Sequence, residues 1–204
     1  EQLKKVYDLE RIVGRISFGN CNAKDLVNLK KSLGAVPMIQ TALRGLENSF
    51  AIELCDKIPN LDKLYHTIDQ ALIDNPPLSI KEGGFIRNGY NAEVDELREI
   101  SSSGKGWIAT FQEKERERTG IKSLKVGYNS VFGYYLEVSK AASEAVPADY
   151  IRKQTTTNTE RYITPELKEH ESRVLGATER AVALEQELFA ALRGDVASRS
   201  AELL

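Results

Sequence analysis

The densest group of side chains able to hold a ligand lies in Tyr150–Tyr162, which reads Tyr-Ile-Arg-Lys-Gln-Thr-Thr-Thr-Asn-Thr-Glu-Arg-Tyr. Arg152, Lys153 and Arg161 stand there against one acid, Glu160, and four threonines, Gln154 and Asn158 surround them. Guanidinium, ammonium, hydroxyl and amide donors at this density suit phosphate oxygens, and contacts of that kind seat a protein on a duplex without reading its sequence. An exposed, β-prone hairpin with no ligand would have the same composition, so the stretch alone leaves both readings open. Phe132, Tyr134 and Tyr135 could stack on bases, but alternation assigns at least half of such a run to a core.

Elsewhere the residue types do not assemble into chemistry. The two histidines, His66 and His170, fall on separate helical stretches with no second ligand type at metal spacing, so surface or partly buried imidazoles are expected. Cys21 and Cys55 also lie in helical patterns without metal spacing, and reduced thiols packed in a cytosolic core are expected. There is no G-x-x-x-x-G-K-S/T phosphate loop, no G-x-S-x-G elbow and no H-E-x-x-H pair. The plentiful carboxylates fall mostly on helix faces, where solvation accounts for them. The sequence therefore predicts no catalytic residue, no cofactor site and no metal site.

Charged residues make up 28% of the 204 and hydrophobic ones 41%, the balance of an ordinary soluble globular protein, as one elongated domain or two small ones. The net charge of −2 argues for no general attraction to polyanions, so any such site must be a local patch. No apolar run approaches the ~20 residues of a membrane helix and no signal peptide is visible, so a cytoplasmic protein without membrane contact is expected. The chain opens inside one helical pattern and closes on another, which suggests a piece of something larger.

These residues must be positioned by a small β module set in a helical protein. Leu124, Val126 and Tyr128 alternate with Ser123, Lys125 and Gly127, and after a turn at Asn129-Ser130, Phe132, Tyr134, Leu136 and Val138 alternate with Gly133, Tyr135 and Glu137. Period-two alternation with β-branched and aromatic residues predicts half-buried strands. A second pair, Tyr150–Thr156 and Thr159–Ile163, turns near Thr157-Asn158. The predicted fold class is mainly α with a small antiparallel β insertion (α+β). Short helices are expected over 3–16, over Asn22–Gly34, from Pro37 to Gly45, over Leu46–Ile58 and over Leu61–Ile73, with Pro76-Pro77 as a stop.

A long helix from Asn91 to Arg118 and a returning one capped by Thr164-Pro165-Glu166 flank the insertion. Ser101–Gly106 predicts a weak point or bend in the first, because each glycine costs about 1 kcal/mol relative to alanine. At about 28 residues each, two antiparallel helices would reach on the order of 40 Å and hold the module away from a bundle over 1–90. The expected division is thus helices over 1–118, a β insertion over 119–164 and a returning helix over 165–204.

Particular runs now carry a family resemblance. Asp8-Leu-Glu-Arg-Ile-Val-Gly-Arg-Ile16 with Asp25-Leu, Arg116-Glu-Arg-Thr-Gly120, and Leu124-Lys-Val-Gly-Tyr-Asn-Ser-Val-Phe-Gly-Tyr-Tyr135 resemble the lever and clamp regions of the MutS family of bacterial DNA mismatch repair proteins. So does Arg152-Lys-Gln-Thr, running on to Glu160-Arg-Tyr-Ile-Thr-Pro-Glu-Leu-Lys-Glu169. The resemblance implies most of a lever domain with the clamp inserted in it, without the family's mismatch reader or its ATPase. ATP and Mg would then belong to the longer protein and no cofactor to this piece.

It also implies double-stranded DNA as a partner, held by its backbone without sequence preference and weakly in isolation, and a homodimer in the longer protein. Carried over by position, the backbone contacts fall on the turn Asn129-Ser130 and on Arg152, Lys153, Thr156, Asn158 and Arg161. The Phe-x-Glu at Phe111 and Glu113 lies in a charged helix and is not the family's mismatch-reading motif. The competing expectation is a structural arm whose β tip docks a protein and leaves DNA alone.

Overall fold

A computed structural model of the chain describes residues 2–46 and 48–203. The chain divides into two compact units, one of Glu1–Val94 with Ala181–Leu204 and the other of Asp95–Arg180. The order of elements is α1 Leu9–Ser17, α2 Ala23–Arg44, α3 Ser49–Lys57, α4 Asp62–Ala71, α5 Ala92–Thr119, β1 Lys125–Asn129, β2 Gly133–Ser139, β3 Ile151–Thr155, β4 Thr159–Ile163 and α6 Pro165–Ser198. The fold is mainly helical with one small antiparallel sheet, as the patterning predicts.

In the first unit, capping decides where helices begin. Asp8 accepts a hydrogen bond from the Arg11 N–H at 3.0 Å, which starts α1 there and leaves Gln2–Lys5 as a separate 3-10 turn instead of part of one helix over 3–16. Asn22 and Asp25 cap α2 reciprocally, each side chain bonding the other's backbone N–H at 2.9 Å. A break between Gly34 and Pro37 does not occur, for α2 runs through both to Arg44. Proline removes one rung of the helical ladder. Against that loss, Leu26, Leu29 and Leu33 are buried with Leu64 and Ile68 of α4, and Gly34 lets the Tyr65 ring close on the helix. The expected helix over Leu46–Ile58 is shorter, beginning after its Asn48 cap, and Glu47 lies outside the described residues.

Residues 71–87 double back over this core. Leu72 bridges to Ile86, and the Arg87 N–H donates to the Ala71 carbonyl at 2.8 Å. The crossing is fastened from α6, where Glu185, 1% exposed, accepts from the Phe85 and Ile86 N–H groups at 3.0 and 3.3 Å. Phe85 meets Phe189 edge to face at 5.7 Å. Beside it the buried Lys30 ammonium lies 2.9 Å from Asp69 and 2.6 Å from Asp74, with Arg87 bridging the same two carboxylates.

The second unit carries the sheet. The parts of α5 and α6 within it run antiparallel, matched by Ser101 with Thr178 at 2.7 Å, by Trp107 stacked on His170 at 3.7 Å, and by Lys114 with Glu166 at 2.9 Å. Ser101–Gly106, the weak point or bend expected from the sequence, does not interrupt α5, which is assigned as helix from Ala92 to Thr119. Gly104 is buried in the helix contact, where an added Cβ would lie 3.3 Å from a Val174 methyl, so its small size serves close approach. The two helices are not matched in length, having 28 and 34 residues.

The strand order is β1-β2-β4-β3, antiparallel throughout. Ile121–Leu124 is a turn, so β1 begins later than its alternation suggests, although Ile121 and Leu124 are both buried. Leu136, Val138 and Tyr162 on one sheet face pack with Phe111 of α5, Leu167 of α6, Ile121, Leu124 and Tyr150. Burying each large apolar side chain contributes about 1.5–3 kcal/mol.

Candidate nucleic-acid interface

β3 is an edge strand exposed at all five residues. A bulge between Arg152 and Gln154 breaks its alternation, so Arg152 faces Tyr162 while Gln154 faces Arg161. The hydrogen bonds follow that shift. The Arg152 guanidinium donates to Glu160 at 3.1 Å, and Glu160 also accepts from the Tyr162 hydroxyl. On the opposite face, Arg161 donates to Glu137 at 2.9 Å and to Gln154 at 2.9 Å, with its guanidinium 4.5 Å above the Tyr135 ring. The Tyr162 hydroxyl bond, with Arg152 behind it, holds the Glu160 carboxyl below its ordinary range. Burial, helped by Glu160, pushes Tyr162 up to about 12. Tyr135 is buried too, so it is no free stacking platform.

Thr156 closes the hairpin on itself, its N–H and hydroxyl reaching the Thr159 carbonyl at 2.8 and 3.0 Å. Thr157 and Asn158 remain exposed at the turn. Asn129 ends β1, where its side-chain oxygen accepts from the Val131 N–H at 2.7 Å and leaves Ser130 exposed. The predicted contact residues therefore fall into two groups. Asn129 faces Gly133 at the start of β2, whereas Thr159 faces Ser139 at its end. At ~3.3 Å per strand residue, those ends are on the order of 20 Å apart.

Charge on the module is unevenly paired. Residues 121–163 hold six basic and four acidic side chains, within a chain of net charge −2. Glu137 is held by Arg161, Glu160 by Arg152 and Asp149 by Arg118 of α5, which leaves Glu144 as the acid without an ion pair. Among the described residues, Lys122, Lys125, Lys140 and Lys153 are exposed and have no ion pair either. Reading only Tyr150–Tyr162 misses the first three. The net charge of the whole insertion is the signal that would have found them.

Two sets of contacts fix the module to its helices, and neither was visible in the spacing. Glu115, 2% exposed, accepts from the Tyr150 hydroxyl at 2.7 Å and from Arg118 at 2.8 and 3.0 Å, and Arg118 reaches on to Asp149 at 3.0 Å. Burial and the Glu115 bond raise the Tyr150 phenol well above its usual range. At the other end of β2, Glu171 of α6 accepts from the Tyr134 N–H at 3.3 Å and from Lys168 at 2.6 Å, while Lys168 caps the Phe132 carbonyl at 2.5 Å. Gly133 sits directly against this pair at φ +78°.

His66 is exposed, but His170 is almost fully buried against Trp107, which in turn stacks on Phe111 at 4.7 Å. Phe111 belongs to the core and Glu113 pairs with Arg116. Burial, assisted by Arg173, lowers the His170 pKa. The unfolded chain thus takes up a proton near pH ~6.5 that the folded chain resists. The His170 contribution to stability is complete above that pH and is lost as pH falls toward the lowered value. Emission of Trp107, the chain's one tryptophan, followed during denaturation at pH 7.5 and 5.5 should show the loss, and His170→Phe should remove that part of the pH dependence.

Among the described residues no three of His, Cys, Asp and Glu are placed to hold a metal, and no helix is long and apolar enough to cross a membrane. Residues 89–180 match the family described as MutS family domain IV. The chain is 54% identical over 207 residues to the DNA mismatch repair protein MutS of Methanosarcina barkeri, covering 98% of this chain and 23% of that protein. It is 51% identical over 197 residues to the protein of the same name from Acetivibrio thermocellus, covering 97% of this chain and 23% of that one. The chain thus spans under a quarter of the length of these relatives. With α5, the inserted sheet and the first part of α6 inside the matched segment, and with alignments at 51–54% identity covering 97–98% of its length, the chain belongs to the MutS family.

Proposed function

We propose that the chain is a noncatalytic segment of a mismatch repair protein, in which the β module holds the backbone of duplex DNA. The two long helices join that grip to an ATPase domain lying elsewhere in the longer protein, which also binds the ATP and Mg and forms the homodimer. The observation that supports this best is local charge, because a chain of net −2 carries an insertion with six basic residues against four acidic ones. Hydroxyl and amide groups at the exposed β3–β4 turn supply further donors of the kind phosphate contacts use.

A second reading has its own support at the other end of the sheet. Tyr128 is 61% exposed and Val131 86%, an apolar pair suited to a protein partner. A titration of the chain with a homoduplex and a single-mismatch duplex across a salt series separates the two. With about four phosphate contacts, affinity should fall roughly a hundredfold between about 50 and 200 mM salt, equally for both duplexes. Preference for the mismatch would refute a backbone grip. No binding at low salt would favour the protein-docking tip.

A further inference from the structure

We infer that the phosphate grip is made by lysines toward the β3–β4 end of the sheet, Lys122, Lys125, Lys140 and Lys153, and that Arg152 and Arg161 are internal braces. This rests on the DNA-holding reading above and assigns it to residues. The two arginines are engaged within the sheet. Arg161 would have to leave Glu137, Gln154 and the Tyr135 ring to meet a phosphate, and Arg152 would have to leave Glu160. Either departure exposes a carboxylate next to the incoming phosphate, which repels it.

Among the described residues, none of the four lysines makes an ion pair, and the carboxylate acting on Lys140, Glu160, is already held by Arg152 and Tyr162. Three chain segments converge where the lysines stand. The Ser123 and Ser139 hydroxyls lie 3.4 Å apart, which sets Lys122 beside Lys140. The Lys140 N–H donates to the Asn158 carbonyl at 3.0 Å, which joins both to the exposed Thr157-Asn158 turn. Lys125 and Lys153 lie within two or three residues of the same end, on β1 and β3. Glu144, on the same 3-10 turn Lys140–Ala145 as Lys140, is among the described residues the one module carboxylate without an ion pair. Four exposed ammonium groups without ion pairs against one such acid make a local cationic end that attracts a phosphate backbone and releases its counterions.

The test compares two double variants of the 204-residue chain that remove equal charge, Lys122→Gln with Lys140→Gln and Arg152→Gln with Arg161→Gln. Affinity for a fluorescently labelled homoduplex is measured across salt. The lysine variant should bind at least roughly tenfold more weakly at low salt, and its log–log salt slope should fall by about two. The arginine variant should keep its slope and melt at a lower temperature. If it does not fold, single Lys140→Gln and Arg152→Gln provide the comparison, since Glu160 keeps Tyr162 in the latter. An equal or larger slope change in the arginine variant, or none in the lysine variant, overturns the assignment while leaving the DNA-holding reading standing. Failure of the unsubstituted chain to show any salt-dependent binding removes both.

Discussion

Gly133→Ala should destabilise the β module by roughly 3–5 kcal/mol, the larger of the two strongest effects expected in this chain. Part of the cost is conformational, since φ is +78° there and a residue with a Cβ held in that region costs about 1–3 kcal/mol. The rest is steric and electrostatic. An added Cβ would fall 1.7 Å from a Glu171 carboxylate oxygen, and Glu171 is buried, with its carboxylate already bonded to Tyr134 and Lys168. Pushing it aside loses charge-assisted hydrogen bonds contributing about 1.5–3 kcal/mol. Denaturation followed by Trp107 emission measures the change. Glu171→Ala relieves the collision and leaves the backbone strain, so the two substitutions should combine less than additively. A loss under about 0.5 kcal/mol for Gly133→Ala would show that the turn does not depend on this contact.

Glu185→Ala should cost about 2–5 kcal/mol in the other unit. Its carboxylate accepts from two buried backbone N–H groups, and a buried donor left without an acceptor costs about 1–3 kcal/mol. Glu185→Gln retains one acceptor oxygen and should lose less than half as much. Hydrogen exchange read at Phe85 and Ile86 is the direct measurement, with both amides exchanging faster in Glu185→Ala and at intermediate rates in Glu185→Gln. Unchanged protection in Glu185→Ala would mean that the backbone bridge of Leu72 to Ile86 holds this crossing without α6.

Local signals were legible where one residue decides one event. The Thr164-Pro165 start of α6, the Asn22 cap of α2 and the alternation of Leu136 and Val138 each act within a few neighbouring residues, and each element stands where they indicate. Gly34 and Gly104 were misleading as helix breakers because tertiary contacts overrode their helix propensities, through Tyr65 in one case and Val174 and His170 in the other. The candidate interface was half legible. Arg152, Lys153 and Arg161 are plain in the sequence, but which cations are already paired depends on strand order and on the bulge, and brings Glu137 to Arg161 across 24 residues. Lys140 reaches the hairpin only because the β2 end lies beside the β4 start. The anchors Glu115 and Glu171 looked like any other acids on a helix, since their burial is decided by partners 35 and 37 residues away.

The irregular borders of the sheet also bear on self-association. A regular outer strand is a template for strand addition, by which folded proteins join edge to edge into aggregates. β1 has its Val126 N–H occupied by the Gln112 side chain at 2.9 Å, and β3 is kinked by the bulge and carries Lys153 within it. Neither border offers an unbroken row of backbone groups to another copy. A sheet rich in threonine and aromatic residues is thereby guarded at both borders against strand addition by another copy.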